Sequence, residues 1–344
     1  MHRMDASPMM PEAPAAREAE DALQELARLL ASDMTRCNQT IIERMQSPVA
    51  LIPELAAHIV AAGGKRLRPL LTLAAARLCG YEGERHIRLA ACVEFIHTAT
   101  LLHDDVVDES QLRRGLSSAN AIFGNKASVL VGDFLFARAF QLMVEDGSLE
   151  VLAILSRAAA TIVEGEVLQL VTQNDLETDE ARYLEVIRGK TAALFSAATE
   201  VGAVVAEAGG ERQQALARFG LDLGMAFQLV DDALDYAADP AKLGKALGDD
   251  FREGKITLPV LIAFHAAEGE ERAFWERTIG AGEQEAEDFA TAQALIQRHR
   301  AIERTLERAA EFAARAKGAL AVFPPSPLRA CLSASADYTL HRAR

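Results

Sequence analysis

Two segments of the chain combine a helical repeat of apolar residues with the same acidic motif at their C-terminal ends. In the segment 86–113, steps of three and four residues form one stripe: Leu89, Val93, Ile96, Thr100, His103 and Val107. In the segment 215–236, the stripe consists of Phe219, Leu223, Phe227, Val230 and Leu234. This period is typical of a helix that buries one face, because strands alternate at every second residue. The pattern predicts two long core helices that both end in carboxylates.

The rest of the chain also favours helices over strands. Half of the 344 residues are hydrophobic, which is enough for a sizeable core. Long stretches lack the alternation of Val, Ile and Thr that half-buried strands show. No low-complexity linker interrupts the chain after its first residues. We therefore expect an all-α helical bundle with one domain at residues 21–344 and a disordered tail at residues 1–20.

Composition excludes several classes of function. A formal net charge of -14 disfavours nucleic acid as a partner, because duplex binding requires a basic surface. The cysteines form no CxxC pair and are expected to be buried in a reducing compartment; they are Cys37, Cys79, Cys92 and Cys331. The apolar stretches 151–163 and 191–206 contain Arg157 and Glu200, so neither reaches the roughly 20 residues of a transmembrane helix. A cytoplasmic protein without a transmembrane segment is expected.

The acidic motifs have the pattern DDxxD. The first contains Asp104, Asp105 and Asp108, and the second contains Asp231, Asp232 and Asp235. The outer two carboxylates of each motif are four residues apart and share a helix face, with Cβ atoms about 6 Å apart. One such motif is often only a solvated helix end. Two motifs with the same spacing favour a site for Mg²⁺, which binds a few carboxylates together with substrate phosphates.

Basic residues suited to phosphate lie near these motifs or in glycine-containing segments. The segment GGKRLRP places Lys65, Arg66 and Arg68 before Pro69, and Arg113 and Arg114 follow the first motif. Lys190 with Thr191, and later Lys245 and Lys255, extend the series. Arginine makes forked contacts to phosphate and lysine supplies a point charge. The pair Arg113–Arg114 is also compatible with an ordinary basic surface. A P-loop is excluded, because Leu184 stands where its first glycine is required.

Five segments in this order resemble the trans-polyprenyl diphosphate synthases: GGKRLRP, HDDVVDESQLRRG, GKTAALF, FQLVDDALDY and GDDFREGKITLP. The resemblance covers nearly the whole chain from about residue 25. It is greatest to the bacterial long-chain members, the octaprenyl and decaprenyl diphosphate synthases that make quinone side chains. It implies the isoprenoid synthase fold, a helical bundle with a central apolar tunnel, and a homodimer.

The resemblance also implies roles for individual residues. Three Mg²⁺ ions are expected on Asp104, Asp108, Asp231 and Asp235, with catalytic support from Asp105 and Asp232. The allylic diphosphate is expected to contact Arg113, Lys190, Thr191, Gln228, Lys245 and Lys255. Isopentenyl diphosphate is expected to contact Lys65, Arg68, His97 and Arg114. Without this resemblance, His97 would be interpreted as a core histidine, because it has no metal ligand at a suitable spacing.

The implied reaction is ionisation, condensation and elimination. The allylic diphosphate departs, the double bond of isopentenyl diphosphate attacks the allylic cation, and the released diphosphate takes the final proton. The product is expected to extend from the first acidic motif past Ala99 and Thr100, whose small side chains favour a long product. Phe136, Phe140 and Met143 are candidates for the floor of the tunnel, although each is also compatible with ordinary core packing.

Three alternatives remain at this stage. A shorter-chain synthase, making farnesyl or geranylgeranyl diphosphate, shares the same motifs. A non-catalytic subunit of such an enzyme would keep the fold, although subunits of this kind tend to lose acidic motifs. A class I terpene cyclase normally carries an Asn/Ser/Glu-type second motif and does not use an isopentenyl pocket. We assign no function to the acidic segment 268–288.

Overall fold

Helices account for about 80% of the chain in a computed structural model, which describes residues 14–61, 66–113, 116–237 and 247–342. The all-α prediction is confirmed. One small ribbon interrupts the described helices, in which β1 (Leu112–Arg113) pairs antiparallel with β2 (Leu116–Ser117). The α-helices are α1 (Pro14–Leu29), α2 (Ala31–Arg44), α3 (Leu51–Ala61), α4 (Leu67–Leu78), α5 (Arg85–Val107), α6 (Ala119–Phe123), α7 (Asn125–Asp146), α8 (Leu149–Thr172), α9 (Glu180–Ile187), α10 (Ala193–Val205), α11 (Gly210–Ala237), α12 (Asp249–Arg252), α13 (Leu258–Ala266), α14 (Gly269–Trp275), α15 (Asp288–Arg298), α16 (Ala301–Ala319) and α17 (Pro327–His341).

Helices α5 and α11 carry the acidic motifs and pack within the bundle. Helix α5 packs against α7 and α4, while α10 packs against α4 and α11. On its other side α11 packs against α16. The buried apolar side chains of these helices form one continuous cluster. Since both motif helices belong to the same packed core, their C-terminal ends are held in a defined relative position.

The first described helix begins earlier than the sequence analysis expected. Residues 14–20 were assigned to the disordered tail, but they belong to α1. This helix packs against α17, and Ala19 is buried. Packing against a helix more than 300 residues further along the chain therefore orders a segment whose composition alone suggested disorder. Residues 1–13 lie outside the described part.

The two apolar stripes are buried over most of their length. On α11, Phe219, Leu223 and Val230 are fully buried. On α5, Leu89, Val93 and Ile96 are fully buried, Thr100 and His103 are partly exposed, and Val107 is 58% exposed. The prediction that Val107 faces the core is wrong. It is the last residue of α5, and it lies on the outer side of a turn whose Asp105 is buried.

Helix α7 places the candidate floor residues on different sides. Met143 is 1% exposed and belongs to the core cluster together with Ala139, whereas Phe140 is 45% exposed. Successive residues are rotated by about 100° around a helix, so Phe140 cannot share the face of Ala139. The sequence suggested that Phe140 could point into the tunnel. In the described chain its side chain instead lies outside the core.

Helix α7 is also the one described helix that is long and apolar enough to cross a membrane. The sequence analysis did not single it out. Length and composition are weak support for a membrane span, because core helices of globular proteins have the same properties. Here α7 packs along α5 and contributes Leu135, Ala139 and Leu142 to the buried core.

Candidate active site

The two acidic motifs occupy the C-terminal ends of α5 and α11. Helix α5 ends at Val107, directly before Asp108, and α11 ends two residues after Asp235. The C-terminal end of a helix carries partial negative charge, so carboxylates there require cations or hydrogen-bond donors. The structure supplies these partners from distant parts of the chain.

The segment 250–255 links the two motifs. Nζ of Lys255 lies 3.2 Å from Oδ2 of Asp108 in the first motif and also pairs with Glu253. The same segment binds the second motif, because the backbone N–H of Asp250 donates to Oδ2 of Asp235 over 3.1 Å. Burial lowers the pKa of Lys255, but Asp250, Asp108 and Glu253 outweigh burial, so the net shift is upward. Lys255 is therefore a fixed positive charge at the junction of the motifs.

Lys190 is positioned by an unusually close contact between helices. It lies in a five-residue π-helical segment, Arg188–Ala192, between α9 and α10. Gly189 in this segment approaches Gly165 of α8 so closely that a Cβ on Gly189 would lie 2.9 Å from the Cα of Gly165. One turn of α8 therefore lies against the backbone beside Lys190. Segments of π-helix occur frequently at functional sites, and this one places Nζ of Lys190 2.9 Å from Oε2 of Glu166.

The charge of Lys190 also affects the pKa of Asp104 in the first motif. Burial lowers the pKa of Lys190, while Glu166 and Asp104 raise it by a larger amount. Burial raises the pKa of Asp104 to about 7, although Lys190 opposes this shift and Glu166 adds to it. Asp104 is thus a carboxyl group that a further nearby cation would convert fully to the carboxylate.

Asp105 has different partners from the other carboxylates of its motif. It is buried, and Nη2 of Arg113 on β1 lies 2.6 Å from its Oδ1. The side chain of Asn120 donates to its backbone carbonyl over 3.0 Å. Arg113 therefore lies against the first motif, where its partner is Asp105. The neighbouring Arg114 lies outside the described residues.

Asp232 belongs to a buried chain of hydrogen bonds that contains two predicted diphosphate ligands. The Tyr183 hydroxyl donates to its Oδ2 over 2.6 Å, and Nε2 of Gln228 donates to its Oδ1 over 2.7 Å. Thr191 in turn donates to Oε1 of Gln228 over 2.7 Å. Burial raises the pKa of Asp232 to about 7, Asp250 adds to this, and the two donors oppose it. Asp232 therefore orients Gln228 and Thr191, and both of its oxygens are already used.

Asp231, the first residue of the second motif, pairs with a cation that the sequence analysis did not identify. Nη2 of Arg342, which follows α17, lies 3.0 Å from its Oδ1. The guanidinium carbon of Arg342 also lies 4.3 Å from the centre of the Phe227 ring. Helix α17 therefore delivers a positive charge to the edge of the acidic site.

The predicted isopentenyl pocket is described only in part. Nη1 of Arg68 lies 3.0 Å from Nε2 of His97, and its guanidinium lies 4.4 Å from the centre of the Phe195 ring. Arg66 lies 3.8 Å from Glu94 and has a left-handed backbone, with φ of 44°. A cavity of about 30 Å³ adjoins Arg66, Glu94 and His97. The structure thus brings Arg68 and His97 together, while Lys65 and Lys245 lie outside the described residues.

Sequence reasoning missed five residues that hold this site together: Glu166, Tyr183, Asp250, Glu253 and Arg342. Asp250 and Glu253 lie within the GDDFREGK segment, so their proximity to Lys255 was visible. The other three occur in segments without a recognisable motif. Only the packing of α8, α9 and α17 brings them to the acidic helices.

A comparison with protein families gives one decisive match. The profile of the family described as Polyprenyl synthetase matches residues 49–296. The chain belongs to this family. Both acidic motifs, the Lys190–Thr191 pair and Lys255 lie inside the matched region.

Relatives in the polyprenyl synthetase family are similar over almost the whole chain. The octaprenyl diphosphate synthase of Escherichia coli (strain K12) is 47% identical over 324 residues, covering 94% of this chain and 99% of the relative. The crystal structure of a polyprenyl synthase from Caulobacter crescentus CB15, complexed with calcium and isoprenyl diphosphate, is similar with a TM-score of 0.91. Its sequence is 55% identical, and the match covers 94% of this chain and 98% of that one. A decaprenyl diphosphate synthase structure from Rhodobacter capsulatus is 55% identical with a TM-score of 0.90, covering 94% and 99%. A divalent metal ion and an isoprenyl diphosphate thus occur together in one structural relative.

Proposed function

We propose that this chain is a long-chain trans-polyprenyl diphosphate synthase, a transferase that repeatedly condenses isopentenyl diphosphate with an allylic diphosphate. The observation that carries the proposal is the joining of the two DDxxD motifs by the segment 248–255. Lys255 pairs with Asp108, and the backbone of Asp250 binds Asp235. Two acidic helix ends joined by a segment that carries a mostly buried lysine suit a metal-bound diphosphate, which carries both bound cations and free anionic oxygens.

The carboxylates fit Mg²⁺ by their chemistry. Mg²⁺ takes few protein ligands and completes its shell with water and substrate oxygens, and the carboxylates of the two motifs suit this requirement. We assign Asp104, Asp108, Asp231 and Asp235 as its ligands, with three ions per site. When bound, Mg²⁺ supplies positive charge that stabilises the departing diphosphate.

The chain's own residues bind and orient the two substrates. Thr191 donates to Gln228, and Lys190 precedes Thr191 in the chain. These three residues bind the allylic diphosphate, with Arg113, Lys245 and Lys255. The basic groups of Lys190 and Lys255 are mostly buried and held by ion pairs, so little reorganisation is needed as the diphosphate departs. Arg68 and His97, with Lys65 and Arg114, bind isopentenyl diphosphate.

We propose a product between octaprenyl and decaprenyl diphosphate, a precursor of quinone side chains. Relatives named as octaprenyl and decaprenyl diphosphate synthases support this range. Ala99 is fully buried one turn before Asp104, where a larger side chain would occupy space near the metal site. Met143 remains a candidate for the floor, whereas the exposure of Phe140 in the single chain argues against that role for it.

We further propose that the enzyme is a cytoplasmic homodimer. Helices α7 and α8 expose a set of apolar side chains that a monomer would leave in water, namely Leu130, Phe140, Val144, Val163, Val167, Leu170 and Val171. Contiguous exposed apolar surface commonly marks a protein interface. Self-association would also explain why α7 is apolar on both sides. Sedimentation at micromolar concentration tests this, and a monomer would contradict it.

The experiment that tests the function is incubation with labelled isopentenyl diphosphate and farnesyl diphosphate, with Mg²⁺ or with EDTA. We expect a Mg²⁺-dependent ladder of products that ends near forty to fifty carbons. A ladder that stops at fifteen or twenty carbons would instead identify a shorter-chain synthase. Absence of incorporation with every allylic primer would identify a non-catalytic subunit, and a cyclic hydrocarbon would identify a terpene cyclase.

A further inference from the structure

Arg342 lies across one turn of α11, at the edge of the second acidic motif. Its Nη2 is 3.0 Å from Oδ1 of Asp231, and its guanidinium carbon is 4.3 Å from the centre of the Phe227 ring. Phe227 and Asp231 are four residues apart and therefore neighbours on one helix face. The guanidinium thus makes one ion pair and one cation–π contact with the same turn of α11.

The backbone before Arg342 is held in place by packing. Helix α17 begins at Pro327, where the Ser326 side chain accepts a hydrogen bond from the N–H of Arg329. Its inner face is buried as far as Thr339, three residues before Arg342. The N–H of Arg342 still donates to the carbonyl of Tyr338 over 3.3 Å. The position of Arg342 is therefore set by the fold.

The pairing of Asp231 differs from that of its neighbours in the motif. Asp232 accepts hydrogen bonds from the buried Tyr183 and Gln228, and Asp235 accepts from a backbone N–H. Asp231 is instead paired with a charged side chain, and the side chains of Arg342 and Asp231 are 25% and 34% exposed. A partly exposed ion pair is weak and can be exchanged.

The other end of the guanidinium is incompletely satisfied. Nη1 of Arg342 is buried and has no hydrogen-bond partner among the described residues. A buried donor without an acceptor carries an unfavourable desolvation cost. The pairing with Asp231 is therefore not an optimal state for Arg342, and a divalent cation offers Asp231 a more strongly bound partner.

We propose that Arg342 is a positioning residue that holds Asp231 when no metal is bound and competes with a divalent cation for that carboxylate. This inference rests on the proposed function, in which Asp231 is a metal ligand. Competition by Arg342 weakens metal binding to the free enzyme. Metal retention then depends on the additional oxygen ligands that a bound diphosphate supplies.

The test measures the affinity of the full-length protein for Mn²⁺ alone, from the electron paramagnetic resonance signal of the free ion. We expect Arg342→Ala and Arg342→Gln to bind Mn²⁺ about three- to fivefold more tightly than the unaltered protein, as loss of a partly exposed ion pair implies. A residue that only stabilised the fold would leave the affinity unchanged or reduce it. Equal or weaker Mn²⁺ binding in both variants overturns the proposal.

Arg315→Ala is the matched control. Arg315 also pairs with an aspartate of α11, with its Nη2 2.9 Å from Oδ1 of Asp222, and also lies over a phenylalanine ring. This pair lies outside the acidic motif, so the Arg315→Ala variant should bind Mn²⁺ with the same affinity as the unaltered protein. Thermal unfolding in EDTA verifies that every variant is folded.

Asp231→Asn separates the two possible failures. If Asp231→Asn weakens Mn²⁺ binding but the Arg342 variants do not strengthen it, the metal assignment stands and the competition is refuted. If Asp231→Asn binds Mn²⁺ like the unaltered protein, Asp231 is not a metal ligand and both the assignment and the inference are overturned. Tighter binding in the Arg342 variants together with weaker binding in Asp231→Asn supports the inference.

Discussion

Replacing Gly165 by alanine tests whether the close contact between α8 and the π-helical segment positions Lys190. A Cβ added at Gly165 would lie 2.8 Å from the carbonyl carbon of Gly189 and also meet the backbone nitrogen of Lys190. Both are backbone atoms, so neither can rotate away. Carbon atoms pack optimally at 3.5–4.0 Å, and the segments must therefore separate by about 0.7 Å or more.

Two consequences follow for Gly165→Ala. Overpacking of this kind typically costs about 1–3 kcal/mol of unfolding free energy. Under the proposed function, the separation would also displace Lys190 from the diphosphate, and misplacement on this scale reduces turnover by about ten- to a hundredfold. We expect the loss mainly in kcat, because the charge of Lys190 is retained but is placed poorly for the departing group.

The assay combines urea denaturation with steady-state incorporation of isopentenyl diphosphate. Gly210→Ala is the control, because a Cβ at Gly210 meets no atom within 4 Å, and its stability and turnover should stay close to those of the unaltered protein. If Gly165→Ala has normal stability and normal turnover, the contact does not position Lys190 and the reasoning is refuted.

Three further predictions follow from buried groups. Tyr183→Phe removes a donor from the buried Asp232 and should lower the unfolding free energy by about 1–3 kcal/mol; an unchanged urea midpoint would contradict this. Ala99→Phe should shorten the product without abolishing the first condensation, and an unchanged ladder on chromatography would refute it. Burial lowers the pKa of His86, although Asp33 opposes this. Below the unfolded value of 6.5 the unfolded chain binds a proton that the folded chain resists, so stability should decrease from pH 7 to pH 5. The change of unfolding free energy with pH should be smaller in His86→Gln. An equal change in the variant would contradict the assignment of this pH dependence to His86.

The basic side chains that the structure describes at the acidic site pair with carboxylates of the same chain. Lys190 pairs with Glu166, Lys255 with Asp108, and Arg113 with Asp105. Under the proposed function, a metal-bound diphosphate would exchange these partners: the metal would take the carboxylates, and the phosphate oxygens would take the basic groups.

Local patterns predicted the helices but not all of their faces. The spacing of Leu89, Val93 and Ile96 correctly predicted the buried side of α5, because helical geometry alone places such residues on one face. The same reasoning failed for Val107, because a periodic pattern does not reveal where the surrounding core ends. The prediction that Phe140 lines the tunnel failed for a related reason, because the helices packed around α7 decide which of its two apolar faces is buried.

The sequence by itself determined the helical class, the position of both acidic motifs at helix ends, and the family, because each depends on residues that are close together in the chain. The tertiary structure alone decided which cation meets which carboxylate. Lys255 reaches Asp108 across 147 positions, and Arg342 reaches Asp231 across 111. Such pairs depend on how whole helices pack, and that packing is a collective property of the core that no local period encodes.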